Sequence, residues 1–177
     1  MHYRTCGRTG GQIAEVGYGM WGMAGWTGSD DEQSFASLDR AIALGCNFFD
    51  TAWAYGDGHS ERLLGATLKR HPDQRLYIAT KIPPKNRKWP ARPSYTLDEV
   101  FPADYIREYT EKSLANIGVS TLDLQQLHVW TDEWAADDRW HIYVSCNTVA
   151  NKPQLGDNPR PDWVVSRNWH ALPIEAD

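Results

Sequence analysis

The chain has 177 residues, of which 41% are hydrophobic and 23% charged, as is typical of a single globular domain. Its formal net charge of −5 argues against a nucleic-acid groove, which requires clustered Lys and Arg. The N-terminus lacks the apolar segment of a secretory signal, and no stretch approaches the roughly 20 apolar residues of a membrane span. We therefore expect a cytoplasmic protein with no nucleic-acid or membrane partner.

The three cysteines disfavour both a disulfide framework and a zinc site, because their number is odd and no Cys-x-x-Cys spacing occurs. We expect no bound metal. Cys46 lies in an apolar run over residues 44–49, where a buried, inert thiol is the ordinary interpretation.

The first part of the chain predicts a hairpin, a strand, a helix and a second strand. Residues 9–11 (Thr-Gly-Gly) suit the turn of a hairpin within the first eighteen residues, and residues 13–19 suit a strand ending in glycines. Ser29 with Glu32 has the spacing of a capping box, and Gly45 is placed to end the helix that follows. Residues 46–50 form a short apolar run that closes on Asp50.

The same unit then repeats twice. Ser60 and Glu61 are expected to begin a helix that ends near residues 71–72, and the strand over residues 76–81 closes on Lys81. Residues 82–102 are rich in proline and predict a long loop. A third helix is expected to end at Gly118, and a strand over residues 122–129 carries His128 near its end.

Alternating strands and helices predict a parallel sheet covered by helices, either doubly wound or a (β/α) barrel. Asp50, Lys81 and His128 each lie at the C-terminal end of a different strand, and Tyr55 lies in the loop after Asp50. In a barrel these strand ends converge on one face, where barrel active sites are built. This placement favours an α/β fold of the TIM-barrel type.

These four residue types can together protonate a carbonyl oxygen. A tyrosine has a pKa of about 10 and is a weak acid unless a neighbouring ammonium stabilises its phenolate. A carboxylate could hold that lysine, and an imidazole could orient the substrate. The residues alone leave another interpretation open: Asp50 and Lys81 as a structural ion pair, Tyr55 as a half-buried loop residue and His128 as a strand-end residue.

The sequence resembles the aldo/keto reductase family in four motifs that occur in the family's order. They are FFDTAWAYG at residues 48–56, SERLLG at 60–65, IATK at 78–81 and LDLQQLH at 122–128. The opening, with Tyr3, Arg4 and GYGMWG at residues 17–22, resembles the family's capping hairpin and first strand. The resemblance covers about residues 1–140 and implies a TIM-type barrel, here the capping hairpin and roughly the first four βα units.

The resemblance implies an NADP(H)-dependent oxidoreductase that reduces a small aldehyde or ketone to an alcohol. Tyr55 would be the general acid, Lys81 would lower its pKa, Asp50 would hold Lys81, and His128 would orient the carbonyl. The cofactor contacts it implies are made by Met20, Trp21 and Asp50. The substrate pocket is expected at Trp21, Trp53 and Trp130, with the loop of residues 82–102 forming one wall through Trp89 and Tyr95.

Residues 141–177 do not continue the alternation and are expected to be a divergent, irregular tail on a truncated barrel. Residues 142–144 and 163–165 suit short strands. The family's Ser-Asn pair for the carboxamide is not recognisable there; the nearest match is Ser166, Arg167 and Asn168. The alternative function is therefore an inactive fragment acting at most as a binding or regulatory subunit. Open strand edges in a half barrel also predict self-association.

Overall fold

The computed structural model describes residues 1–6, 9–26 and 28–136. The expectations for the tail of residues 141–177, including its two short strands, lie outside these residues. Among the helices that are described, none combines the length and the apolar composition that crossing a bilayer requires.

The chain opens with a hairpin, as predicted. Strand β1 (Tyr3–Thr5) pairs antiparallel with β2 (Gln12–Ala14), and Tyr3 lies opposite Ala14. The prediction of a single strand over residues 13–19 is wrong. Its first part belongs to β2, and its last part is a separate strand, β3 (Tyr18–Gly19), in another sheet. The glycine-rich sequence hides this break because both parts have the same mixed apolar pattern.

The main sheet has four strands in the order β3-β4-β5-β6, all parallel. The remaining strands are β4 (Phe48–Asp50), β5 (Tyr77–Ile82) and β6 (Leu124–Leu127). Asp50 lies opposite Ala79, and Lys81 lies opposite Gln126. Strand order that follows chain order, with helical crossovers between strands, is the arrangement that a (β/α) barrel predicts.

Three helices cover one face of this sheet: α1 (Asp31–Ala43), α2 (His59–Arg70) and α4 (Ala103–Ile117). The predicted helix starts were displaced by a residue or two. Asp30, not Ser29, caps α1, and its carboxylate accepts a hydrogen bond from the Gln33 N–H at 2.8 Å. Gly118 ends α4 with a positive φ of 75°, as predicted.

The predicted loop of residues 82–102 contains one short helix, α3 (Leu97–Val100), which was not expected from the sequence. Thr96 and Glu99 form a complete capping box at its start. The same spacing of Thr and Glu is readable in the sequence, but a single turn has too few apolar positions to show a helical period.

The apolar core consists of two clusters. The first lies between the sheet and helices α1 and α2, and includes Leu38, Phe49 and Leu64, all fully buried. The second lies around the end of β5, α3 and α4, and includes Ile82 and Phe101. Helices α2 and α4 approach closely at Gly65, where an added Cβ would lie 2.3 Å from the Ile117 carbonyl oxygen. The packing of these two helices therefore requires glycine at position 65.

Candidate active site

The fold brings the four predicted catalytic residues to one end of the parallel sheet. We call Asp50, Tyr55, Lys81 and His128 the tetrad. Asp50 is the last residue of β4, Lys81 is the penultimate residue of β5, and His128 directly follows β6. Tyr55 lies in the turn between β4 and α2. Because Asp50 pairs with Ala79, two residues before Lys81, the alternation of strand side chains places Asp50 and Lys81 on the same face.

Lys81 is the buried centre of the site. Its side chain is 1% exposed, and its ammonium donates hydrogen bonds to the Asp50 carboxylate and, at 2.8 Å, to the Thr51 carbonyl. The Lys81 Nζ atom also lies 5.2 Å from the centre of the Tyr55 ring. A buried ammonium is stable only with such partners, so Asp50 and Thr51 fix the lysine beside the tyrosine.

Tyr55 and His128 face each other across the site. Their ring centres are 5.5 Å apart with the planes at 78°, an edge-to-face contact, and Tyr55 is buried. The backbone fixes both residues: the Ser60 N–H donates to the Tyr55 carbonyl, and the His128 N–H donates to the Ile82 carbonyl at 2.9 Å. The general acid and the orienting imidazole of the prediction are therefore neighbours.

His128 is held as a neutral imidazole. Burial, and then the nearby charge of Lys81, lower its pKa to about 4. Its Nδ1 atom is buried and makes no hydrogen bond to any residue of the described chain. At neutral pH one ring nitrogen can donate a hydrogen bond and the other can accept one, while the ring carries no charge.

Two half-exposed indoles flank the central pair of rings. The Trp26 ring lies 6.2 Å from that of Tyr55, and the Trp89 ring lies 6.0 Å from that of His128. Trp89 places its loop beside His128, and the expectation that this loop forms one wall of the substrate pocket stays a prediction. Trp26 was not predicted at the site, because it lies among glycines outside every motif, and only the fold brings it to Tyr55.

The three tryptophans predicted for the pocket have different surroundings. Trp21 is 58% exposed and its ring lies 5.8 Å from that of Trp26, so it extends the row of rings. The Trp53 ring instead packs against Tyr109 of α4 at 4.8 Å, with the Arg87 guanidinium over it. The Trp130 ring packs against Trp134 at 5.6 Å. These two indoles are packed in and around the second core cluster, and neither makes a ring contact with the tetrad.

Met20 contributes its backbone, not its side chain. The side chain is fully buried in the first core cluster. Its N–H donates to the Asp50 carbonyl at 2.9 Å, and its carbonyl accepts from the Ser60 hydroxyl at 3.2 Å. Trp21, the next residue, is therefore the one whose side chain is available at the surface.

The residues at this end suit a nicotinamide nucleoside. The Asp50 side chain is 33% exposed and can accept hydrogen bonds from ribose hydroxyl groups, while the exposed Trp21 indole offers a flat apolar surface. The unpartnered Nδ1 of His128 shows that the site has unused hydrogen-bonding capacity. Within the described ranges, no group of three or more His, Cys, Asp or Glu side chains could hold a metal ion.

Comparison with known proteins shows that residues 15–150 match the aldo/keto reductase family. The chain is 31% identical over 137 residues to the aldo-keto reductase YhdN of Bacillus subtilis, covering 75% of this chain and 39% of that protein. It is 29% identical over 123 residues to the aldo-keto reductase yakc [NADP(+)] of Schizosaccharomyces pombe, covering 68% of this chain and 35% of that protein.

The structural comparison agrees. The holo form of an aldo-keto reductase from Bacillus halodurans superposes with a TM-score of 0.59 and 29% identity, over 78% of this chain and 43% of that one. The parallel sheet described above is thus part of a (β/α) barrel, as predicted. The chain spans less than half the length of each of these three proteins.

Proposed function

This chain belongs to the aldo/keto reductase family, and we propose that it is a cytoplasmic, NADP(H)-dependent oxidoreductase that reduces aldehydes or ketones to alcohols. One observation carries the proposal: the buried Lys81 ammonium lies between the Asp50 carboxylate and the Tyr55 ring. This arrangement suits a tyrosine that gives up its proton during the reaction.

In the proposed reaction, Tyr55 donates its hydroxyl proton to the oxygen of the substrate carbonyl. The positive charge of Lys81 then stabilises the phenolate that remains, and Asp50 keeps the lysine in place. His128, which is neutral at physiological pH, orients the carbonyl oxygen by a hydrogen bond without competing for the proton. Burial of Tyr55 and Lys81 strengthens these electrostatic effects.

The reduced nicotinamide, when bound, supplies the hydride that the carbonyl carbon receives. Asp50 would hold the ribose hydroxyls, the Trp21 indole would lie against the nicotinamide nucleoside, and the backbone of Met20 would set the floor of the site. The proposal of NADP(H) rests on the yeast relative, whose name gives NADP(+) as its cofactor.

A second candidate function is a catalytically inactive binding or regulatory subunit. The observation in its favour is the length of the match, since the chain spans 35% to 43% of the three relatives. In the described sheet, β3 and β6 are the outer strands, so a second copy pairing there would bury strand edges. Sedimentation equilibrium tests this pairing: a single, well-folded monomer at all concentrations would contradict it.

The two functions are separated by titrating NADPH, and NADH in parallel, against the purified chain while tryptophan fluorescence is recorded. Micromolar binding together with NADPH-dependent reduction of an aldehyde supports the reductase. A Tyr55→Phe variant keeps the ring and removes the hydroxyl group with its proton. It should bind cofactor normally and no longer reduce the aldehyde. Unchanged turnover in this variant would refute the assigned acid. Absence of any quenching at millimolar cofactor would favour the inactive subunit.

A further inference from the structure

The first turn of α2 makes hydrogen bonds to the segments that carry Asp50, Tyr55 and Lys81. This turn begins at His59 after the N-cap Gly58, and its residues Ser60 and Glu61 are both fully buried. The sequence motif of residues 60–65 was expected only to begin a helix. In the structure Ser60 and Glu61 do not cap it; the cap is Gly58, and their side chains point away from the helix into the sheet.

Ser60 connects three neighbouring segments. Its hydroxyl accepts a hydrogen bond from the Thr51 hydroxyl at 2.8 Å and donates to the Met20 carbonyl at 3.2 Å. Its backbone N–H donates to the carbonyl of Tyr55 at 3.2 Å. One residue thus joins the end of β3, the residue after Asp50 and the proposed acid.

Glu61 connects strand β5 and helix α4. One carboxylate oxygen accepts from the Thr80 hydroxyl at 2.6 Å, and the other accepts from the Asn116 amide of α4 at 2.8 Å. Thr80 is fully buried and directly precedes Lys81 in β5. The hydrogen bond to Glu61 therefore fixes the outer side of the strand at the point where the lysine projects from the inner side.

The N-cap of this turn packs closely against the Asn116 side chain of α4. A Cβ on Gly58, whose φ is +83°, would lie 2.3 Å from the Asn116 amide nitrogen. Fully buried polar groups cost free energy unless every one is paired, and apolar residues would pack such a helix against a sheet more simply. A paired hydroxyl and a paired carboxylate at adjacent positions specify one geometry, which apolar contacts do not.

We propose that Ser60 and Glu61 are positioning residues that set the distance between Lys81, Asp50 and Tyr55 through Thr80 and Thr51. They touch no reacting atom themselves. The inference rests on the proposed function for its kinetic consequences, but the geometry of the Lys81 ammonium can be measured without turnover. Small misplacements of catalytic groups reduce rates strongly, by up to about a hundredfold for a shift near one ångström.

The test compares Thr80→Val, which keeps the shape and removes the hydroxyl, with Thr80→Ser, which restores it. Thr67→Val is the matched control: Thr67 is also fully buried on α2, but among the described residues its hydroxyl bonds only the Leu63 carbonyl of the same helix, at 2.9 Å. We expect kcat for aldehyde reduction to fall about tenfold to a hundredfold in Thr80→Val, with KM nearly unchanged, and to recover in Thr80→Ser. Thr67→Val should lose stability but keep kcat.

The readout that does not depend on turnover is the NMR signal of the Lys81 ammonium, assigned with Lys81→Met. We expect this signal to shift or broaden in Thr80→Val and in Thr51→Val, and to stay unchanged in Thr67→Val. If the wild-type chain reduces no aldehyde, the proposed function fails while a shifted signal still supports the positioning role. A native Lys81 signal in both Thr80→Val and Thr51→Val would overturn the inference, as would native kcat in an active protein. If Thr80→Val does not fold, Thr51→Val decides alone.

Discussion

Lys81 and Asp50 form an ion pair in which one partner is hidden and the other reaches the surface. The lysine side chain is 1% exposed, whereas the aspartate side chain is 33% exposed. The aspartate therefore accepts a hydrogen bond from the buried ammonium, and the exposed part of its carboxylate can accept one from a ligand. This asymmetry predicts different consequences for replacing each partner.

Asp50→Ala should destabilise the fold, because it leaves the buried ammonium with the Thr51 carbonyl as its remaining acceptor. Removing one partner of a fully buried ion pair costs about 3–5 kcal/mol of unfolding free energy. We expect a smaller loss here, because Asp50 is partly exposed. Adding Lys81→Met should restore much of that loss. Urea unfolding of the single and double variants measures it. Glu15→Ala, which breaks the exposed pair with Arg4, is the control and should cost about 1 kcal/mol or less.

The stability of the protein should depend on pH through His128. The folded chain keeps this imidazole neutral down to about pH 4, whereas the unfolded chain binds the proton near pH 6.5. Between these values the unfolded state holds more protons, so the contribution of His128 to stability is complete above pH 6.5 and is lost as the pH falls towards 4.

His128→Gln removes this titration. Its unfolding free energy should therefore fall less steeply than that of the wild type between pH 6.5 and 4, by up to about 1.4 kcal/mol per pH unit. Parallel curves for the two proteins would show that the imidazole is not protected in the folded state. The activity profile of the wild type should also lack a histidine step near pH 6.5.

Gly65→Ala should destabilise the packing of α2 against α4. The new methyl group would lie 2.3 Å from the carbonyl oxygen of Ile117, and a backbone atom cannot rotate away. Overpacking of this kind costs about 1–3 kcal/mol. Thermal unfolding measures the loss. Gly19→Ala is the control, because a Cβ at this exposed position would meet no described atom within 4 Å; equal losses in the two variants would contradict the close contact.

Trp26 and Trp89 should determine affinity for flat carbonyl substrates, because their rings flank Tyr55 and His128 and stay about half exposed. Trp26→Ala and Trp89→Ala should raise the KM for benzaldehyde severalfold, up to about tenfold, and change that for propanal less. Leu44→Ala, at an exposed apolar residue after α1, should leave both unchanged. Equal effects on the two aldehydes would argue that the indoles do not contact the substituent.

The sequence was sufficient to predict the parallel sheet and the position of the tetrad. Each of Asp50, Lys81 and His128 follows or closes an apolar run, and that local pattern survives in the fold because buried strands depend on it. The end of α4 was also predictable, since Gly118 adopts the positive φ that favours glycine.

Contacts between distant segments could not be predicted in the same way. No local pattern indicates that Trp26 approaches Tyr55 or that Trp53 turns towards Tyr109, because both contacts depend on how loops pack. Ser60 was interpreted as a helix start from local spacing, yet its hydroxyl is used by Thr51 and Met20. A tertiary partner here outweighs the local capping preference.

The agreement between strand order and chain order has a consequence for how the protein forms. In the main sheet, β4, β5 and β6 each pair with the strand that precedes them in the chain. During synthesis, each new strand of the described sheet therefore emerges when its partner strand has already been released. The residues of the acid site, from Asp50 to His128, can accordingly be brought together in the order in which the ribosome releases them.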